Sequence, residues 1–97
     1  METGKIYTFK LNSGEEVIGK YIDQVDNYMT IQSPVSIMAG PKGVQLMPSM
    51  FTVDPDSQVT LNINSVSIYA DTDESVQNKY IEATTGIQVP DKKILVG

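Results

Sequence analysis

Leu11–Ile31, LNSGEEVIGKYIDQVDNYMTI, is the stretch whose reading decides the fold. Asn12-Ser13-Gly14 is a turn signal that separates a first strand from the next. Val17 and Ile18 reopen the apolar run. Gly19 then stands inside a strand pattern, where glycine marks a sharp bend or a close approach of two backbones. Tyr21, Ile22 and Val25 continue the strand, and Asp26-Asn27 turns the chain into Tyr28-Met29-Thr30-Ile31. Strands that are short, glycine-bent and tightly turned curl a small sheet on itself into a barrel.

Working outward, Ile6–Leu11 alternates, with Tyr7, Phe9 and Leu11 on one face and Thr8 and Lys10 on the other. That is a half-buried strand. The third strand runs from about Asn27 to Gln32 and resumes after Pro34, which lacks an N–H and belongs at a bulge or on an edge. Ala39–Gly43 is a turn; a strand follows from Val44, and Met50–Val53 extends it until Asp54-Pro55-Asp56 breaks the pattern. Val59, Leu61 and Ile63 face one way, but Val66, Ile68 and Ala70 are out of phase with them. A slip of one residue there predicts a bulge or tight turn at Asn64-Ser65. A helix is expected from about residue 72 to 85, capped by Asp71 or Thr72 and ended by Gly86, with Val76, Tyr80 and Ala83 at helical spacing. Residues 87–97 form a tail with enough apolar side chains to dock.

Composition narrows the function. Ninety-seven residues make one domain with a modest core, so oligomerisation would help it. There is no cysteine or histidine, all seven basic residues are lysines, and the net charge is −5. Such a chain does not coat nucleic acid by bulk electrostatics. It also lacks the commonest acid–base, nucleophilic and phosphate-clamping side chains, so no enzyme and no cofactor is expected. Asp71, Asp73, Ser75, Gln77, Lys79 and Glu82 fall at calcium-loop spacing. The sixth position, however, has Val76 where glycine is needed, and Lys79 puts a cation among the ligands, so no metal is expected. No apolar run reaches the length of a membrane span, and Met1–Lys5 has neither region of a signal peptide; the expected location is cytoplasmic, without a membrane.

The spacing Leu11-x-x-Gly14-x-x-Val17-x-Gly19, followed by Asp26-x-Tyr28-Met29-Thr30-Ile31, resembles the first signature motif of Sm and Sm-like (LSm, Hfq-type) proteins. Gly14-Glu-Glu-Val-Ile-Gly19, with Pro34 beyond, is also similar to small Sm-like proteins of tailed phages of cyanobacteria, which would place the chain in a host cytoplasm. The chain departs from the motif by one extra residue between Gly19 and Asp26 and by Thr30 in place of asparagine. Asn64-Ser65-Val66-Ser67 occupies the second motif without its basic residues. A C-terminal helix also departs from the family, which carries its helix ahead of the first strand.

The resemblance implies an all-β, five-stranded, strongly bent antiparallel Sm-like or SH3-like barrel over about residues 5–70, with an OB-like barrel as the alternative. It implies a homo-oligomeric ring that binds single-stranded RNA, or DNA, in RNA or DNA processing. Tyr28 would stack on a base, with Thr30, Asn62 and Asn64 offering hydrogen bonds and Lys20 or Lys42 near the site. Asp26 is expected to order its own turn by accepting backbone N–H bonds. The other function class is a structural or adaptor ring of a phage-like assembly that binds protein.

Overall fold

The computed structural model describes residues 1–85. The docking tail, residues 87–97, and the helix stop at Gly86 lie outside the described residues. The fold is mainly antiparallel β with one helix: β1 (Ile6–Leu11), β2 (Glu16–Val25), β3 (Tyr28–Gly40), β4 (Gly43–Pro48), β5 (Gln58–Asn62), a 3-10 turn (Ile63–Ser65), β6 (Val66–Asp71) and α1 (Glu74–Thr85). The strand order is β4-β3-β2-β1-β6, and β5 pairs with β3. Among the described residues there are six strands, one more than the five expected, and they form a bent sheet that does not close on itself. The sixth arises because two separate strands pair along β3, β4 on its far half and β5 on its near half, with the turns around Asp54-Pro55-Asp56 between them.

Two bulges bend the sheet. Between the Ile18↔Val35 and Lys20↔Gln32 pairs, Ser33 and Pro34 on β3 oppose Gly19 alone on β2. A Cβ at Gly19 would lie 3.0 Å from Ile31 Cδ1 and 3.2 Å from its Cβ, so the glycine permits the close approach its place in the strand suggested. The second bulge makes Ile22 the extra residue between Tyr21↔Ile31 and Asp23↔Thr30.

The bent sheet buries both faces. On the inner face Tyr7, Phe9, Val17, Tyr21, Met29 and Ile31 form one core, flanked by Leu11, Val59, Ile63 and Val66. On the outer face Ile6, Ile18 and Val35 pack around Tyr80 of α1, with Ile37, Leu46, Val76 and Ile81 beside them. Tyr80 ties helix to strand at the first bulge. Ser33 has φ 54° and Pro34 has no N–H, so local ladder bonding is interrupted there. The Tyr80 hydroxyl donates to the Gln32 and Ser33 carbonyls at 3.0 and 2.9 Å. Burial pushes this phenol up to about 12, opposed by the hydrogen bond at Ser33.

Two local expectations are corrected. Helix α1 is capped by Asp73, whose carboxylate accepts from the Ser75 N–H at 3.1 Å and the Ser75 hydroxyl at 2.6 Å. Those bonds hold the Asp73 carboxyl below its usual range. Asp71 instead ends β6 opposite Tyr7 and pairs with Lys5, while the Thr72 hydroxyl meets that of Thr8 at 2.8 Å. Strand β4 stops at Pro48 and does not resume over Met50–Val53. There the Asp54 carboxylate captures the Asp56 N–H at 2.9 Å, and turns connect to β5.

Candidate nucleic-acid interface

Three turns meet at one rim of the sheet: Asn12–Glu15 between β1 and β2, Asp26-Asn27 between β2 and β3, and the 3-10 turn between β5 and β6. The 3-10 turn begins because Asn62, at its N-cap, accepts the Asn64 N–H on its own amide oxygen at 2.9 Å. The Ser65 hydroxyl closes the turn on the Asn62 carbonyl at 2.6 Å. The Asn27 carbonyl then accepts the Ile63 N–H at 2.9 Å, which joins the second turn to the third.

The first turn is joined by Asn12, which the sequence did not single out as a site residue. Its N–H donates to the Ser65 carbonyl at 2.7 Å, and its amide Nδ2 donates to the Asn64 carbonyl at 2.7 Å. Its amide oxygen accepts from the Ser67 hydroxyl at 2.5 Å. One side chain therefore braces the backbone of the 3-10 turn from across the sheet. Only its place in a polar turn was visible in the sequence. The contact spans 52 positions, and no local pattern encodes it.

The expected site residues fall into place unequally. Tyr28 and Asn62 are direct cross-strand partners, and Thr30 and Thr60 form the next pair on the same face. Tyr28 is 57 % exposed, whereas Met29 and Ile31, which alternate with Tyr28 and Thr30 along β3, are buried. Asn64 is exposed two residues past Asn62, inside the 3-10 turn. Among the described residues its side-chain amide makes no hydrogen bond, so donor and acceptor are both open. Asn62 has its oxygen engaged and keeps the amide N–H donors.

Asp26 stands in its turn with φ 53°, a left-handed conformation that Asp tolerates better than most residues, and the expected backbone N–H bonds to its side chain are not found among the described residues. Among the described residues nothing donates to its carboxylate; its carbonyl accepts from Gln24 Nε2 at 3.4 Å. Lys42 lies in the turn after β3, at the far end of the strand from Tyr28, and is not part of this rim. Lys20 shares the Tyr28 face, opposite Gln32.

The rim offers one aromatic face, open amides and the Thr30 hydroxyl, with two carboxylates, Glu15 and Asp26, and no cationic side chain in the three turns. That is chemistry for stacking and neutral hydrogen bonding. Among the described residues no three carboxylates gather as a metal site, and no helix is long and apolar enough to cross a membrane. No family model matches this chain, and no curated protein matches it.

Proposed function

We propose that this chain assembles as a homo-oligomeric Sm-like ring that binds single-stranded nucleic acid, RNA ahead of DNA, in RNA or DNA processing in the cytoplasm. The observation that carries the proposal is the pairing of half-exposed Tyr28 with Asn62, beside Thr30 and the open amide of Asn64. Base stacking on a tyrosine contributes about 1–3 kcal/mol per base and does not require a basic protein. Assembly is supported by the open edges. Among the described residues β4 and β5 each bond to β3 alone and β6 to β1 alone, and β6 exposes Ile68 and Tyr69. Pairing β6 of one copy with β5 of the next, head to tail, satisfies these two edges and yields a ring when the rotation between copies closes.

The second reading is a structural or adaptor ring of a phage-like assembly. It is favoured by the exposed apolar side chains Met38, Met47, Met50 and Phe51 and by the net charge of −5. Titration with short oligo-U and oligo-A strands, alongside light scattering, separates the two. The expected result is an oligomer with saturable binding, a shallow salt dependence and a loss of about 1–3 kcal/mol in Tyr28→Ala. An oligomer with no binding at low salt establishes the second reading. A monomer at micromolar concentration refutes the ring.

A further inference from the structure

The outer face of β2, β3 and β5 continues the rim as three rows of side chains, because cross-strand partners share a face. The first row is Val25, Tyr28 and Asn62; the second is Asp23, Thr30 and Thr60; the third is Lys20, Gln32 and Gln58. Alternate residues on a strand stand about 6.8 Å apart, which puts Lys20 about 13 Å along β3 from Tyr28. Helix α1 borders the third row, where the Tyr80 hydroxyl bonds the Gln32 carbonyl. The face is thus a short track with an aromatic at its open end and a lysine at its closed end. Among the described residues Lys20 has no ion pair, the only one being Lys5 with Asp71.

The polar groups along the track are partly committed. The Asn62 oxygen is engaged by the Asn64 N–H, and the Gln32 amide nitrogen donates to the Asp56 carbonyl at 3.2 Å. What remains is an amide donor in the first row, two threonine hydroxyls in the second, and in the third the Gln32 amide oxygen and the Gln58 amide.

We infer that a single nucleic-acid strand runs along β3 on this face, with a base on Tyr28 and a backbone phosphate on Lys20. The inference rests on the nucleic-acid reading above and names the cation that reading leaves open. The choice of a polyanion over a neutral ligand follows from the placing of charge. The unpaired ammonium stands where α1 ends the track, and a stacking aromatic stands a few nucleotides away. Asp23, exposed in the middle row on the β2 side, repels phosphate and keeps the strand over β3 and β5.

Anisotropy of short labelled oligo-U, titrated with the full chain over a range of salt concentrations, tests this. Lys20→Gln weakens binding and flattens the slope of log K against log salt by about 0.7, the effect of one lost phosphate contact on a single strand. Asp23→Asn tightens binding, and Lys42→Gln keeps the parent slope. If Lys20→Gln keeps the parent slope while Tyr28→Ala still weakens binding, the inference falls and the nucleic-acid reading stands. It falls likewise if Lys42→Gln carries the loss or Asp23→Asn binds no tighter. If the parent chain binds no strand at low salt, both fall.

Discussion

The two cores of this small protein are built differently, although they share one sheet. The inner core draws six buried side chains from β1, β2 and β3, so the bent sheet makes it without outside help. The outer core has three buried strand residues, Ile6, Ile18 and Val35, and is completed by one helical side chain, Tyr80. The inner core is therefore intrinsic to the sheet, and the outer core exists only while α1 is docked. The difference teaches where the fold can fail as a whole and where it can fail in part.

The harshest way to break this contrast is Phe9→Ala. Phe9 is fully buried at the centre of the inner core, and its truncation costs about 3–5 kcal/mol. Thermal denaturation followed by circular dichroism should show loss of sheet and helix together. A variant that loses α1 and keeps the sheet would mean the inner core is not the intrinsic one.

A smaller change sharpens the contrast from the other side. Tyr80→Phe keeps the ring but leaves the Gln32 and Ser33 carbonyls without their donor, at a cost of about 1 kcal/mol. Its pH dependence identifies the group. The folded state holds the Tyr80 phenol neutral up to about 12, while an unfolded tyrosine ionises near 10. The folded state therefore binds more protons between these values, and stability contributed by Tyr80 is present below pH 10 and lost as the pH rises towards 12. Denaturant melts should show a shallower alkaline decline in Tyr80→Phe than in the parent. Equal declines would remove Tyr80 as the cause.

The sequence exposed these features unevenly. Alternation in β1, the glycine in β2 and the phase slip between Ile63 and Val66 are local signals, and they correspond to a strand, a close approach and a 3-10 turn. The second core was hidden because Ile6 and Ile18 are apolar on the face opposite Tyr7, Phe9 and Val17. Ile6 opens β1 ahead of its alternating run, and Val17 and Ile18 are adjacent on β2, so neither signals a second buried face. Tyr28 could be picked out by motif and Asn62 by its place near a strand turn, but their register could not. The bulge at Ile22 inverts the parity between Lys20 and Asp23, so counting by twos along β2 puts Lys20 on the wrong face. Contacts such as Asn12 to Asn64 join distant turns and leave no trace in the chain between them.

The pairing of β6 with β1 also has a consequence in time. β1, β2, β3 and β4 follow one another through tight turns, so each pairing closes a short loop. β6 must find β1 across the chain; the Thr8–Thr72 contact beside that seam spans 64 positions. Loop-closure entropy places such a contact late on the folding path, after the hairpins have formed. Side chains that act through this seam then govern how fast the molecule comes apart more than how fast it assembles. Val66→Ala, which thins the packing of β6 against the inner core, should raise the unfolding rate in stopped-flow measurements and leave the folding rate nearly unchanged. Equal changes in both rates would place the seam in the nucleus. The strand that joins the sheet last is also the first to let go, and it is the same strand whose free edge a neighbouring copy would hold in the proposed ring.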